Sequence, residues 1–241
     1  MRKITIAANW KEYLNEDQSV KLIKKLDNFF ISRIFNHQFM IFPSESNLKG
    51  ILDALEQRHK DFLSIGLQDP SYDSGHFELS TCIVGHSDRR IKHKEDNDEV
   101  KRKFNIVYHN SNVYPVLCVG ETENEKKEGL TLEIIKNQIP KNVFNSKNLK
   151  NNFAIAYEPV WSIGTGKVPT NNEIKTVLES IKSQTNKSIR LFYGGSVDKN
   201  NVEKLLEIDL IDGFLIGGAS TKFESLVGII EKVDKFLKKT N

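Results

Sequence analysis

Residues 189–206 read IRLFYGGSVDKNNVEKLL, a stretch that joins a strand signal to a helix signal. Its first part, Ile189–Tyr193, is short and largely apolar, as is typical of a buried strand. A Gly-Gly turn follows, and Asp198 is a suitable N-cap for a helix that buries Val202 and Leu206. The stretch therefore predicts one strand–turn–helix unit of an α/β protein.

The same pattern recurs along the whole chain, because short apolar runs alternate with longer amphipathic segments. Parallel strands that are covered on both faces have this apolar character. The eight strand candidates are Ile4–Ala8, Phe39–Phe42, Leu63–Leu67, Cys82–Gly85, Tyr114–Val119, Phe153–Tyr157, Ile189–Tyr193 and Gly213–Ile216. Eight strands that alternate with helices in 241 residues predict the α/β class, with one closed (β/α)8 barrel as a single domain over residues 1–241.

Two of the helical segments carry further signals. The apolar side chains of the first recur at three- and four-residue steps, at Leu22, Ile23, Leu26, Phe30 and Ile34. Thr170 and Glu173 have the spacing of a capping box at the start of another amphipathic segment. Both patterns predict helices that pack one face against the barrel.

One interval between strands is unusually short. Residues 69–80, 12 in all, separate the third and fourth strand candidates. A complete crossover with its helix needs at least about 10–12 residues, so this interval lies at the lower limit. The segment also begins with turn-forming residues, which leaves little room for a helix. We expect a shortened crossover that lacks a full helix between strands three and four.

The composition narrows the range of functions. The net charge is only +3, and the basic residues are spread along the chain, which disfavours nucleic-acid binding. No apolar run approaches the ~20 residues that span a bilayer. The two cysteines, Cys82 and Cys118, provide no disulfide framework. We therefore expect a cytoplasmic protein without membrane or nucleic-acid partners, and the mildly basic chain is compatible with an anionic small substrate.

In a barrel of this kind, functional side chains lie at the carboxyl ends of the strands. These positions hold one cation, one imidazole, one carboxylate and two glycine-rich turns, namely Lys11, His86, Glu158, Gly194-Gly195 and Gly217-Gly218. A carboxylate opposite an imidazole suits the removal of a proton next to a carbonyl group, whose oxygen accepts a hydrogen bond from the imidazole. Glycine-rich turns allow backbone amides to approach a phosphate group closely. No metal-ligand pattern is apparent, and neither a metal nor another cofactor is expected.

Five motifs at these strand ends resemble the triosephosphate isomerase family, in the family's order. They are Ala8–Lys11, Val84–Arg90, Ala156–Gly166, Tyr193–Val197 and Gly213–Ser220. The resemblance covers nearly the whole chain, and the run that begins with Ala156 is its most specific part. It implies a TIM-barrel isomerase of glycolysis and gluconeogenesis that interconverts dihydroxyacetone phosphate and D-glyceraldehyde 3-phosphate through an enediolate, without a cofactor. It also implies a homodimer.

The resemblance further implies roles for individual residues. Glu158 is the base that moves protons between two carbons of the substrate, and a neutral His86 is the electrophile at the carbonyl oxygens. Lys11 and Asn9 steady the enediolate and the substrate. Backbone amides hold the phosphate group, at Gly164, Ser196, Gly217 and Gly218. Residues 159–169 form a lid that closes over the intermediate.

Two departures from the family pattern leave other interpretations open. Asp88 stands where the family usually has Glu, and its shorter side chain is expected to lose its contact with Lys11 or to bridge it through water. The short segment 69–80 removes an arm that reaches a partner subunit in the family, which favours a monomer or a weak dimer. One alternative function is that of a degenerate paralogue that binds triose phosphate with weak or no turnover. Another is that of a barrel aldolase or lyase that uses Lys11 for Schiff-base chemistry.

Overall fold

The eight strands that the structure describes lie parallel and close into a barrel, in which each strand pairs with its neighbours in sequence and the last pairs with the first. A computed structural model of the chain describes residues 3–31, 33, 37–55, 62–69, 79–109, 113–143, 153–185 and 188–240. The strands are β1 Thr5–Asn9, β2 Gln38–Phe42, β3 Leu63–Gln68, β4 Thr81–Val84, β5 Tyr114–Val119, β6 Ala154–Tyr157, β7 Arg190–Tyr193 and β8 Gly213–Ile216. The predicted closed (β/α)8 barrel is confirmed, and each strand end lies within one residue of its predicted position.

Helices cover the outside of the barrel. Those described are α1 Glu16–Ile31, α2 Leu48–Ala54, α3 Ser87–Lys92, α4 Asn97–His109, α5 Glu123–Lys127, α6 Thr131–Gln138, α7 Asn171–Gln184, α8 Val202–Leu206 and α9 Phe223–Thr240. The predicted apolar stripe of α1 is buried at Leu22, Ile23, Leu26 and Phe30, while Ile34 lies outside the described residues. None of the helices described here combines the length and the apolar character needed to cross a membrane.

Side-chain hydrogen bonds at the helix starts test two predictions. Thr170 Oγ1 accepts a hydrogen bond from the Glu173 N–H, and the Glu173 carboxylate accepts one from the Thr170 N–H, so the capping box is confirmed. The prediction for Asp198 is wrong, because α8 begins only at Val202. The Asp198 carboxylate instead accepts a hydrogen bond from the N–H of Asn201, within a turn that precedes the helix.

The connection between β3 and β4 is the shortest crossover of the barrel, and the sequence predicted that it would be shortened. The observed strands leave 12 residues, 69–80, between them. Asp69, Leu79 and Ser80 are the described residues of this connection, and none of the three is helical. The remaining residues, 70–78, lie outside the described part of the chain.

The interior of the barrel is filled with side chains. Inward-facing strand residues form one buried apolar cluster, which consists of Ala7, Met40, Phe42, Ile83, Val116, Cys118, Ala154, Ala156, Phe192 and Leu215. Outward-facing strand residues pack against the helices in a second, larger cluster. Because the centre is a packed core rather than a channel, a ligand is expected to bind at the mouth of the barrel, in the loops that follow the strands.

Thr170→Ala is expected to lower the free energy of unfolding by about 1 kcal/mol, because the start of α7 loses a side-chain hydrogen bond. Urea denaturation followed by circular dichroism measures the change. Thr176→Ala is the matched control, since Thr176 is exposed within the same helix, where alanine is well tolerated. Equal destabilisation by the two substitutions would contradict a specific role of the cap.

Candidate active site

A cavity of about 270 Å³ opens at the carboxyl ends of the strands. Its wall includes all eight residues predicted for the site, which are Asn9, Lys11, His86, Glu158, Gly164, Ser196, Gly217 and Gly218. Ile163 and Leu215 add apolar surface to the same wall. Residues that are far apart in the sequence thus meet in one place, because the closed barrel brings the ends of its strands together.

The imidazole of His86 and the carboxylate of Glu158 contact each other in this cavity. His86 follows β4 and Glu158 follows β6, so the two side chains converge from different loops. His86 Nε2 lies 3.1 Å from Glu158 Oε1. Both residues are buried, with 2% and 3% of their surface exposed. A hydrogen-bond donor and a proton acceptor therefore lie side by side, close enough to contact the same small molecule.

The hydrogen bond at the second ring nitrogen of His86, Nδ1, determines which of the two nitrogens carries the proton. His86 is the N-cap of α3, and its Nδ1 accepts a hydrogen bond from the backbone N–H of Asp88 at 3.0 Å. A ring nitrogen that accepts a hydrogen bond carries no proton, so the proton lies on Nε2. His86 therefore presents an N–H group to the cavity.

The Glu158 carboxylate is buried but surrounded by groups that favour its charge. Burial alone would raise the pKa of Glu158, but the adjacent His86, the Cys118 thiol and the charge of Lys11 outweigh burial and hold the pKa below its usual range. Among the described residues, its Oε2 has no hydrogen-bond partner. Buried polar atoms are rarely left in this state in folded proteins, and such exceptions often mark catalytic groups.

Burial also affects the neighbouring thiol. Cys118 belongs to the interior cluster, and burial, followed by the charge of Glu158, raises the pKa of its thiol well above the usual value. A thiol that keeps its proton is a poor nucleophile. The structure therefore gives Cys118 the properties of a packing residue.

Lys11 reaches the cavity from the segment after β1, with a left-handed backbone at φ +50°. Its Nζ lies 2.9 Å from Asp88 Oδ2. The expectation that the shorter Asp88 side chain loses this contact is therefore wrong, because the long and flexible lysine side chain closes the gap. The ion pair anchors the cation within a single chain.

The ion pair also determines the charge of Lys11. Burial tends to lower the pKa of the Lys11 ammonium, but the hydrogen bond and charge of Asp88 outweigh burial and raise the pKa above its ordinary value. Schiff-base chemistry requires a neutral amine with a lowered pKa. The aldolase or lyase interpretation therefore does not agree with this environment.

Asn9 is held by a residue that the sequence analysis did not identify. Its Nδ2 donates a hydrogen bond to Gln68 Oε1 at 2.8 Å, and its Oδ1 accepts one from the Lys11 N–H at 3.3 Å. Gln68 is the last residue of β3, and a polar residue at a strand end is the signal that could have indicated it. The amide of Asn9 is thus fixed from both sides.

The loops proposed to contact phosphate are linked to one another. Ser196 Oγ donates a hydrogen bond to Ser162 O at 2.6 Å and accepts one from the Gly166 N–H at 3.3 Å. Gly164 has φ +69°, a conformation that glycine adopts without strain. The predicted lid, residues 159–169, is therefore connected to the loop after β7 in this structure.

The first part of the lid is fixed by Glu121, whose role the sequence analysis did not predict. Glu121 Oε1 accepts hydrogen bonds from Trp161 Nε1 at 2.8 Å and from Tyr157 OH at 3.2 Å. Lys126 Nζ lies 3.7 Å from the centre of the Trp161 ring, on its face. Burial raises the pKa of Glu121, although both hydrogen bonds oppose that change. Two elements, the start of the lid and α5, thus meet at one indole ring.

Comparison with known protein families agrees with this geometry. The family model described as triosephosphate isomerase matches residues 4–233. The chain belongs to the triosephosphate isomerase family. All eight residues predicted for the site lie within the matched part of the chain.

Curated members of the family are similar over nearly their full length. The triosephosphate isomerase of Buchnera aphidicola subsp. Cinara cedri (strain Cc) is 36% identical over 253 residues, which cover 96% of this chain and 98% of the relative. That of Clostridium tetani (strain Massachusetts / E88) is 32% identical, with 95% and 96% coverage. That of Wolbachia pipientis wMel is 35% identical, with 95% and 94% coverage. The family and these relatives assign triosephosphate isomerase activity to the chain.

Gly194→Ala is expected to lower kcat by about 10²-fold, because an added Cβ would lie 2.7 Å from Glu158 Cγ and displace the carboxylate. A coupled assay of D-glyceraldehyde 3-phosphate turnover measures the change. Gly228→Ala is the matched control, because its added Cβ meets Lys199 at an ordinary distance of 3.4 Å and full activity is expected. If the two variants are equally active, the position of Glu158 does not depend on the glycine beside it.

Proposed function

We propose that Glu158 is the base and His86 the electrophile when the chain interconverts dihydroxyacetone phosphate and D-glyceraldehyde 3-phosphate. The observation that carries this proposal is the 3.1 Å contact between Glu158 Oε1 and His86 Nε2, in a cavity that also holds Lys11. In a hydroxycarbonyl unit, the acceptor can take the proton of the C–H bond, while the donor next to it gives a hydrogen bond to the oxygen.

In the first half of the reaction, Glu158 takes a proton from C1 of dihydroxyacetone phosphate. The electron pair of the broken C–H bond forms the C1–C2 double bond, and the carbonyl electrons move to the oxygen on C2 to give the enediolate. The carboxylate is ready for this step, because its lowered pKa keeps it ionised near neutral pH. Its oxygen without a described partner can accept the proton.

In the second half, Glu158 returns the proton to C2. The electrons of the C1–C2 double bond form the new C2–H bond. The proton of the C1 hydroxyl group moves to the oxygen on C2, and the electron pair that it leaves on the C1 oxygen forms the carbonyl double bond at C1. The Nε2–H of His86 donates hydrogen bonds to both oxygens and relays the proton between them. The backbone N–H of Asp88 keeps this nitrogen as the donor, since it occupies Nδ1.

Positive charge and backbone amides complete the proposed site. Lys11, with Asn9 beside it, offsets the negative charge of the enediolate and of the phosphate group. The phosphate group binds to the backbone amides of Gly164, Ser196, Gly217 and Gly218, which line the cavity. Closure of the lid places Ile163 near Leu215, and the exclusion of water by these side chains strengthens each charge interaction.

Glu158→Gln is expected to lower kcat by at least about 10²–10⁴-fold, because the amide has nearly the same shape but cannot accept the substrate proton. The KM is expected to stay close to that of the unsubstituted protein, since the other binding groups remain. Steady-state kinetics in both reaction directions, with a coupled assay, measures both constants.

Glu179→Gln is the matched control for this test. Glu179 is an exposed residue of α7 that pairs only loosely with Lys175, at 3.7 Å, and its substitution is expected to leave the kinetics unchanged. A Glu158→Gln protein that keeps most of its turnover would contradict the role of the base. An unsubstituted protein without turnover would favour the degenerate paralogue.

We also propose that the chain is a monomer or a weak dimer. Only 12 residues connect β3 to β4, and Lys11 is held by Asp88 of its own chain at 2.9 Å. Sedimentation velocity at nanomolar concentration is expected to give the mass of one chain, 27.6 kDa. A dimer that persists at nanomolar concentration would contradict this proposal.

The cytoplasm is the compartment that we propose for this chain. Cys82 and Cys118 are free and buried, as cysteines commonly are in reducing compartments. Cell fractionation is expected to recover the protein with the cytoplasmic enzymes. Its recovery in a secreted or membrane fraction would contradict the proposal.

A further inference from the structure

Four charged side chains form a closed cluster beside the site, and we call Asp69, Arg89, Glu95 and Lys103 the charge cluster. Lys103 Nζ lies 2.8 and 2.7 Å from the two carboxylate oxygens of Asp69 and 2.7 Å from Glu95 Oε1. Arg89 Nη2 lies 2.9 Å from Asp69 Oδ2 and 2.7 Å from Glu95 Oε1. Each cation contacts both carboxylates, so the formal charges of the cluster sum to zero.

The charge cluster is largely shielded from solvent, with Arg89 as its most exposed member at 27% of the side chain, and its geometry is constrained. The side chains of Asp69 and Glu95 are 5% and 6% exposed, and that of Lys103 is 12% exposed. Asp69 has a left-handed backbone with φ +56°, and its N–H donates a hydrogen bond to Ile83 O in β4 at 2.9 Å. A residue other than glycine adopts this conformation when its surroundings hold it there. The cluster therefore differs from the solvated ion pairs of a protein surface.

The charge cluster is one residue away from two contacts of the active site. Gln68, which precedes Asp69, accepts the hydrogen bond from Asn9. Asp88, which precedes Arg89, holds the lysine of the site. The 2.9 Å contact between the side chains of Asp69 and Arg89 therefore joins the two backbone segments that orient the polar groups of the cavity.

The stability gained from the ion pairs of Asp69 does not by itself explain why a carboxylate is buried at this position. Burial, with the nearby charge of Glu95, raises the pKa of the Asp69 carboxyl although Lys103 and Arg89 oppose this change. A raised carboxyl pKa means that the folded state disfavours the ionised form, so stability falls as the pH rises through that range. Buried ion pairs often add little stability, and in some proteins they fix a unique geometry instead.

We propose that Asp69 is a positioning residue for the isomerase site. Through Arg89 and Lys103, it fixes the end of β3 against α3 and α4. The orientation of Asn9 and Lys11 toward the substrate then depends on a cluster within one chain. This proposal rests on the function proposed above for those two residues.

Asp69→Asn tests the proposal, because asparagine has nearly the same shape but no charge to hold the two cations. The KM for D-glyceraldehyde 3-phosphate is expected to rise about tenfold, because the loosened Asn9 and Lys11 bind the substrate less well. The kcat is expected to fall as well, because the same groups offset the charge of the enediolate. A purely structural role gives another pattern. It lowers the folded fraction and hence the apparent kcat, while the KM of the folded molecules stays unchanged.

A second variant keeps the test decisive if Asp69→Asn unfolds the protein, because that substitution leaves one buried cation unbalanced. The double variant Asp69→Asn/Lys103→Gln restores a net charge of zero in the cluster but lacks the contact between β3 and α4. Thermal denaturation verifies that it is folded. A raised KM in the folded double variant supports the proposal, and an unchanged KM overturns it.

Glu99→Gln is the matched control, because Glu99 lies on α4 as Lys103 does but pairs with Arg102 at 2.9 Å on the exposed side of that helix. Its kinetics are expected to equal those of the unsubstituted protein. An unsubstituted protein without isomerase activity would contradict the proposed function itself. An active protein whose KM does not respond to Asp69→Asn would contradict only the positioning role.

Discussion

The hydrogen bond from the backbone N–H of Asp88 to His86 Nδ1 is the interaction on which the rest of the site depends. It leaves Nε2 as the donor toward the cavity, where Glu158 lies 3.1 Å away. With the opposite tautomer, two acceptors would face each other at that distance, which is unfavourable in a buried site. The side chain of the same Asp88 holds Lys11. One residue in the first turn of α3 thus orients both electropositive groups of the cavity.

The barrel supplies the rigid support for this arrangement. Its interior is a packed cluster of apolar side chains, and the chemistry is confined to the loops that follow the strands. Glu158 emerges from this core with little solvent exposure, and Gly194 in the neighbouring loop leaves the space that its side chain fills. Burial would normally neutralise such a carboxylate, but the surrounding donors and cation keep its charge. The carboxylate proposed as the base is therefore both shielded from water and ionised.

The sequence predicts the barrel and the residues that line the cavity because their signals are local. Strands follow from short apolar runs, and Glu158 is recognisable from the motif around it. Gln68, Glu121 and Asp69 were not identified, since their roles arise from contacts with residues distant in the sequence, such as the 59-residue separation between Gln68 and its partner.

The prediction for Asp88 failed for a related reason. The prediction considered only that Asp is shorter than Glu. It did not consider the conformational flexibility of the Lys11 side chain, which contacts this carboxylate. The start of α8 was misplaced because the Asp198 carboxylate satisfies a turn rather than the helix. Local polar signals thus identify the kind of structure, while the exact partner depends on the folded geometry.

The indole of Trp161 gives the lid an optical property of its own. The chain has two tryptophans, and the other, Trp10, is buried with 1% of its surface exposed. The Trp161 ring has the ammonium group of Lys126 over its face and the carboxylate of Glu121 at its N–H group. Any displacement of the lid that separates the ring from these charges changes the electric field across it and hence the colour of its emission. Movements of the loop can therefore be followed by intrinsic fluorescence, without the attachment of a dye.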